Sequence, residues 1–142
     1  MTLLRWLAIA LFVGLLYPAQ AQSQTKPTIV REPAKATAAN SGSEMFTTYC
    51  AVCHGTTGKG TGPAATALKK QPADLTQLAK KNGGQFPAIK VSLIIKGNEI
   101  LASHGSRDMP IWGKIFSDME GEKISDLRIH NLTEYVQTLQ EK

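Results

Sequence analysis

Cysteine is scarce in this sequence, with only two among 142 residues. That number excludes the set of several disulfide bonds that stabilises many small secreted domains. A structural zinc site usually takes four cysteine or histidine ligands, and His104 and His130 lie far along the chain from both cysteines. A zinc site is therefore disfavoured, but it stays open as an alternative at this point.

Long apolar runs are also scarce, and the longest one stands near the N-terminus. The run from Trp6 to Tyr17 is interrupted only by Gly14, and it falls short of the ~20 residues that span a bilayer. Arg5 precedes it and Ala19-Gln20-Ala21 follows as a small-x-small cleavage site. We expect a cleavable signal peptide over 1–21 and export to the periplasm or out of the cell. An uncleaved N-terminal anchor is the alternative.

Two binding functions lack the patterns that they need. The formal charge is +5, but the lysines are dispersed and no basic motif with interleaved aromatic residues predicts nucleic-acid binding. The glycine-rich stretch after position 54 does not match a P-loop, because Thr61 stands where lysine is required after Gly60. A dinucleotide-binding fingerprint would need glycine in place of Pro63.

The domain organisation follows from length and local patterning. Residues 22–40 mix proline, alanine and scattered charge without an apolar period, which predicts a flexible linker. The remaining length, 41–142, suits one domain. No segment of it shows the strict alternation of a half-buried strand, so we expect an all-α fold of helices and loops.

The most informative feature present is the motif Cys50-Ala51-Val52-Cys53-His54. Two thiols at this spacing, followed at once by histidine, are the attachment site of a c-type haem. Cys50 and Cys53 would each add to one porphyrin vinyl group, and His54 would be the proximal iron ligand. A redox-active dithiol would instead accompany a βαβ pattern, whereas the flanking residues here indicate helix and glycine-rich loop. No second haem motif occurs, so one covalent haem c is predicted.

A helix leads into this motif. Ser41 and Glu44 have the spacing of a capping box at its start. Phe46, Cys50 and Cys53 stand at i, i+4 and i+7, which places the ring and both sulfur atoms on one face of a regular helix.

From about Ser41 to Gln140 the chain resembles the class I cytochrome c family. In that family a glycine and an aromatic residue on the first helix cross a leucine and a tyrosine on the last helix. Gly42 and Phe46 match the first pair, and Leu132 and Tyr135 match the second. The resemblance implies four to five short helices and loops wrapped around one covalently bound haem.

The resemblance also implies two further site residues. The carbonyl of Pro63, in Thr61-Gly62-Pro63, would accept a hydrogen bond from the second ring nitrogen of His54. Met109, which precedes Pro110, would be the distal iron ligand. His104 lies in the same predicted loop, 104–113, and is the alternative ligand.

Several local signals predict the remaining elements. A short helix is expected over 64–70, and another after the capping residue Asp74. A further helix carries Val91 to Ile95 and ends at Gly97 in a left-handed conformation. The last helix should run from about 123 to 140, after a solvated acidic connection over 118–122. Its residues Leu127, Leu132, Tyr135, Val136 and Leu139 should face inward, and His130 should lie at the surface.

These expectations describe an exported electron carrier that cycles one haem iron between Fe(II) and Fe(III) and meets redox proteins transiently, as a monomer. It would not be an enzyme, because His54 and Met109 together would leave no iron position for a substrate. The alternatives are a haem enzyme or gas sensor in which the Met109 bond is labile, and a fixed subunit of a larger membrane oxidoreductase. Four lysines could steer an acidic partner or simply maintain solubility: Lys69, Lys70, Lys80 and Lys81.

Overall fold

The computed structural model describes residues 33–98 and 109–142, and residues from Pro33 to Lys142 belong to one compact unit. The predicted signal peptide, the first part of the predicted linker and His104 lie outside the described residues. Within the described residues there are helices, turns and loops but no strand, so the predicted all-α class is confirmed. No helix in these two ranges is long and apolar enough to cross a membrane.

The described helices follow one another with short connections. The α-helices are α1 (Gly42–Met45), α2 (Ala51–His54), α3 (Leu78–Lys81), α4 (Ala88–Lys96), α5 (Trp112–Glu120) and α6 (Glu122–Thr138). A π-helical turn, Phe46–Cys50, joins α1 to α2, and 3₁₀ turns occupy Ala65–Ala67 and Leu75–Gln77. Because α1, the π turn and α2 form one continuous stretch, the described residues contain five helices, as the cytochrome-like prediction requires.

Only one of the two hydrogen bonds of the predicted capping box forms at the start of α1. The backbone N–H of Glu44 donates to Ser41 Oγ at 3.3 Å, which satisfies one of the free amides at a helix start. The Glu44 carboxylate does not close the box on Ser41, because it accepts instead from the Ala38 N–H at 3.3 Å.

The π turn changes the helical register ahead of the cysteines. The Ala51 N–H donates to Phe46 O, five residues back, so this turn is wider than an α-turn. The predicted i, i+4, i+7 face assumed regular α-helical spacing, and Phe46 and Cys50 are not one α-turn apart. Phe46 is 1% exposed and belongs to the core, whereas Cys50 and Cys53 are half-buried.

The first and last helices cross as the resemblance predicts. A Cβ atom at Gly42 would collide with Asn131 O and lie 2.8 Å from Tyr135 Cβ, so only glycine allows this approach of α1 to α6. The Phe46 and Tyr135 rings pack with centroids 5.2 Å apart, and Leu132 is 1% exposed.

Helix α5 is not expected from the sequence. The predicted loop ending at position 113 and the predicted solvated connection 118–122 both overlap it, and Trp112–Glu120 is helical instead. The sequence predicts a helix only weakly here, because α5 contains Gly113 and has no side-chain N-cap. Gly113 fits closely against Lys96 O of α4, where a Cβ atom would lie at 2.6 Å. Met119, also in α5, is half-buried and packs against the hydrophobic core.

The remaining local predictions have mixed outcomes. Asp74 caps the next 3₁₀ turn through Thr76 N–H at 2.9 Å, and Gly97 is left-handed with φ 88°, as predicted. Only Ala65–Ala67 of the helix expected over 64–70 is helical, as one 3₁₀ turn. In α6, His130 is exposed as expected. Leu127 was predicted to face inward, but it is 42% exposed.

Residues 34–39, which the sequence assigns to a flexible linker, make hydrogen bonds to the helices. Tyr49 Oη donates to Lys35 O at 2.6 Å, and Asn131 Nδ2 donates to Ala39 O at 2.9 Å. We call residues 34–39 the strap.

Candidate haem-binding site

The motif cysteines and histidine lie at the end of the first helical stretch. Cys50 is the last residue of the π turn, and Cys53 and His54 belong to α2. Helix α2 ends at Gly55, whose φ of 75° is unfavourable for other residues. Both thiols are free and half-buried, so each is available to form one thioether bond.

The Cys50 thiol is held in its protonated form. Burial, followed by the neighbouring Cys53, raises the pKa of Cys50 to about 12. Reactive dithiols of the thioredoxin type have lowered thiol pKa values. The environment of Cys50 therefore differs from that of a redox-active dithiol.

The His54 ring is oriented by a backbone carbonyl. Its Nδ1 lies 3.0 Å from Ala73 O, and a ring nitrogen beside a carbonyl must donate. Burial lowers the pKa of His54, while the Ala73 hydrogen bond opposes this shift. The ring is thus favoured in its neutral form with the proton on Nδ1, which leaves Nε2 as the nitrogen able to bind a metal.

The acceptor at Nδ1 differs from the one that the resemblance implies. The structure places Ala73 O there, and Pro63 is exposed. The segment around Ala73 returns to the motif because the Leu75 N–H donates to Gly58 O at 2.7 Å. This long-range contact is not visible in local sequence. The assignment of Pro63 to the haem-loaded protein stays a prediction.

The glycine-rich loop makes three hydrogen bonds to the backbone of the motif. The Gly60 N–H donates to His54 O at 2.7 Å, the Gly62 N–H to Cys53 O at 3.0 Å, and the Ala64 N–H to Val52 O at 2.9 Å. A Cβ atom at Gly62 would lie only 2.5 Å from both Ala51 O and Val52 O. The loop therefore supports α2 by direct backbone contact, as its glycine content allows.

Met109 packs against the same core as the helix that carries the cysteines. It is half-buried and contacts the central hydrophobic cluster. Its role as distal ligand stays a prediction, and His104, the alternative ligand, lies outside the described residues. Met45, another methionine of the described residues, is fully buried in the core.

An aromatic cluster links the two segments that bear the predicted ligands. Tyr49, next to Cys50, packs on Trp112 with centroids 5.1 Å apart and on Phe116 at 5.4 Å. Trp112, close after Met109, stacks on Phe116 at 5.5 Å. Trp112 thus packs against both other rings of the cluster. Tyr49 and Ala73 were not predicted from the sequence, and the position of Tyr49 next to Cys50 is the signal that could have identified it.

The comparison with family models agrees with this geometry. The model described as Cytochrome c matches residues 39–140. The chain belongs to the cytochrome c family. A comparison with curated proteins gives no match, and a comparison with solved structures gives none.

Membership of the cytochrome c family supports haem c as the cofactor that the motif binds. Proteins of this family carry covalent haem c, and Cys50 and Cys53 have the required spacing. The side chains present fit that group, because two free thiols and a neutral imidazole are adjacent. Haem-based electron transfer follows at the level of the family, and zinc and dithiol chemistry are set aside.

Proposed function

We propose that this protein is an exported electron carrier with a single haem, whose iron would be held by His54 and Met109. The observation that carries the proposal is the aromatic cluster: Tyr49, beside the attachment site, packs on Trp112, which follows Met109. This contact supports an arrangement in which the covalent site and the distal methionine serve one centre.

Each residue has a distinct task at that centre. Haem c supplies a one-electron Fe(II)/Fe(III) couple. Cys50 and Cys53 retain the group covalently outside the cytoplasm, where it could not be recovered if lost. His54 would bind the iron through Nε2, and the hydrogen bond from Nδ1 to Ala73 O would make the ring a better electron donor. The soft, neutral sulfur of Met109 would favour ferrous iron and raise the reduction potential above that of a bis-histidine site.

The two predicted iron ligands support a carrier rather than an enzyme. If His54 and Met109 both held the haem iron, no coordination position would remain for a substrate. The expected partners are redox proteins that bind transiently to a monomer through a small interface. Lys69, Lys80 and Lys81 are exposed and supply positive charge that can guide an acidic partner. The signal-like segment 1–21 supports a periplasmic or secreted location.

An optical experiment on the mature protein tests the proposal. The full chain should be produced in a host that exports proteins and attaches haem c. The ferric protein should show the weak far-red band of a methionine–iron bond, and redox titration should give one reversible one-electron step. A low-spin spectrum without that band would favour His104. Rapid carbon monoxide binding to the ferrous protein at neutral pH would favour the enzyme or sensor alternative, and co-purification with a membrane complex would favour a fixed subunit.

A further inference from the structure

Helix α6 contains a completely buried cation. Arg128 is 0% exposed, and its guanidinium donates to Glu120 Oε2 from Nη2 at 2.6 Å and from Nε at 3.0 Å. It also donates to Thr37 Oγ1 at 2.9 Å and to Thr37 O at 2.8 Å. A buried charge is tolerated only when such partners are present. Arg128 therefore requires both the end of α5 and the strap.

The strap is also bound to the residue that precedes the attachment site. Tyr49 Oη donates to Lys35 O, and it lies 2.9 Å from Thr37 Oγ1. Thr37 Oγ1 is thus shared between Tyr49 and Arg128. Ala34 packs against the hydrophobic core. The strap covers this part of the domain and is fixed at several points along its length.

A continuous set of packed side chains connects Arg128 with both ligand-bearing segments. The Arg128 Cζ lies 5.6 Å from the centroid of Phe116, which suits a cation–π contact. Phe116 in turn packs on Trp112 and on Tyr49. Tyr49 adjoins Cys50, and Trp112 follows Met109 after two residues. A displacement of Arg128 must therefore disturb groups that are adjacent to both sites.

Helix α5 is held at its two ends by different contacts with α6. Near its start, Ser125 Oγ donates to Gly113 O at 3.0 Å. Its last residue, Glu120, is held by Arg128. The direction of α5 determines where the chain leaves toward Met109, and Pro110 restricts the backbone of Met109 to an extended conformation.

We propose that Arg128 and the strap are positioning elements that hold Met109 against the iron. This inference rests on the proposed function, because it takes Met109 to be the distal ligand. Neither Arg128 nor the strap would contact the haem for this purpose. They act by fixing α5 and the aromatic cluster. Met109 lies just before α5 in the chain.

The test measures how well added imidazole displaces Met109 from the ferric holoprotein. The imidazole affinity rises in proportion to the weakening of the methionine bond, because the two ligands compete for one position. Arg128→Lys keeps the charge but loses the planar fork, and it should increase the imidazole affinity about tenfold, equivalent to ~1.4 kcal/mol. Thr37→Val removes one shared hydroxyl and should increase it about threefold, within the range for one hydrogen bond.

Asp118→Asn is the matched control. It removes a carboxylate from α5, but that carboxylate pairs with Lys114 at 2.7 Å on the surface and not with Arg128. The imidazole affinity of this variant should stay within about twofold of the wild type, as expected for an exposed pair. Global unfolding is followed by circular dichroism in the same buffer. The milder Thr37→Val variant provides the test if Arg128→Lys does not fold.

The possible outcomes distinguish a failure of this inference from a failure of the proposed function. Increased imidazole affinity at denaturant concentrations where the helices remain folded supports a positioning role. Lower global stability with wild-type imidazole affinity means that Arg128 is only structural, and the inference is then wrong while Met109 ligation stands. A wild-type protein that lacks the methionine band removes Met109 from the site, and this inference with it.

Discussion

Replacing Gly62 by alanine tests whether the glycine-rich loop supports the haem motif. Gly62 has no positive φ, so alanine can adopt its backbone conformation and the cost must be steric. The added Cβ would lie 2.5 Å from Ala51 O and Val52 O and 2.7 Å from Cys53 C. These are backbone atoms of α2, and they cannot move aside without displacing the motif.

The magnitude follows from two opposing effects. Overpacking a tight site costs about 1–3 kcal/mol, and contacts with backbone atoms place this case near ~3 kcal/mol. Replacing glycine by alanine also lowers the conformational entropy of the unfolded chain, which stabilises the folded state by about 0.4–1 kcal/mol. The Gly62→Ala variant should therefore lose ~2 kcal/mol of unfolding free energy, and its Tm should fall by roughly 10 °C for a domain of this size.

Guanidinium unfolding of the ferric holoprotein, followed by circular dichroism, measures this loss. Thr61→Ala is the control, because it alters a neighbouring exposed residue and should change the unfolding free energy little. The far-red band should also weaken in Gly62→Ala, since His54 and the cysteines move with α2. A loss of stability below ~0.5 kcal/mol, the usual range of surface substitutions, would refute the steric argument.

Four further variants test other parts of the site and core. Met109→Ala should leave haem attached, convert the iron to high spin and lower the potential in a redox titration, and an unchanged spectrum would exclude Met109 as the ligand. The double variant Cys50→Ala/Cys53→Ala should lose all haem in acid-acetone extraction, while haem that stays bound would contradict thioether attachment. Leu132→Ala should lower the free energy of unfolding by about 2–5 kcal/mol in chemical denaturation. Leu127→Ala should lower it much less, because Leu127 is 42% exposed. Equal losses in the two variants would contradict this packing of α6.

Local chemistry made much of the site predictable. The two thiols and the histidine are contiguous in the chain, so their spacing alone identifies the cofactor. Asp74 and Gly97 act on the helix ends next to them, and their side-chain or backbone chemistry is sufficient to predict those ends. The crossing of the first and last helices was predictable only through the family resemblance, which supplied the pairing of Gly42 with Tyr135.

Tertiary packing decided the features that join distant segments. Ala73 reaches His54 because its loop is fastened to Gly58, and no local pattern specifies that route. Arg128 lies on the same helix face as Leu132, four residues on, and this spacing was the available signal for its burial. Its partner Thr37 stands in a segment with the composition of a linker, so only the folded structure shows the strap in place. Sequence by itself determines the cofactor chemistry and the helix ends at Asp74 and Gly97, because these depend on neighbouring residues. The fold determines which distant carbonyls and charges meet, because those contacts exist only once the helices have packed.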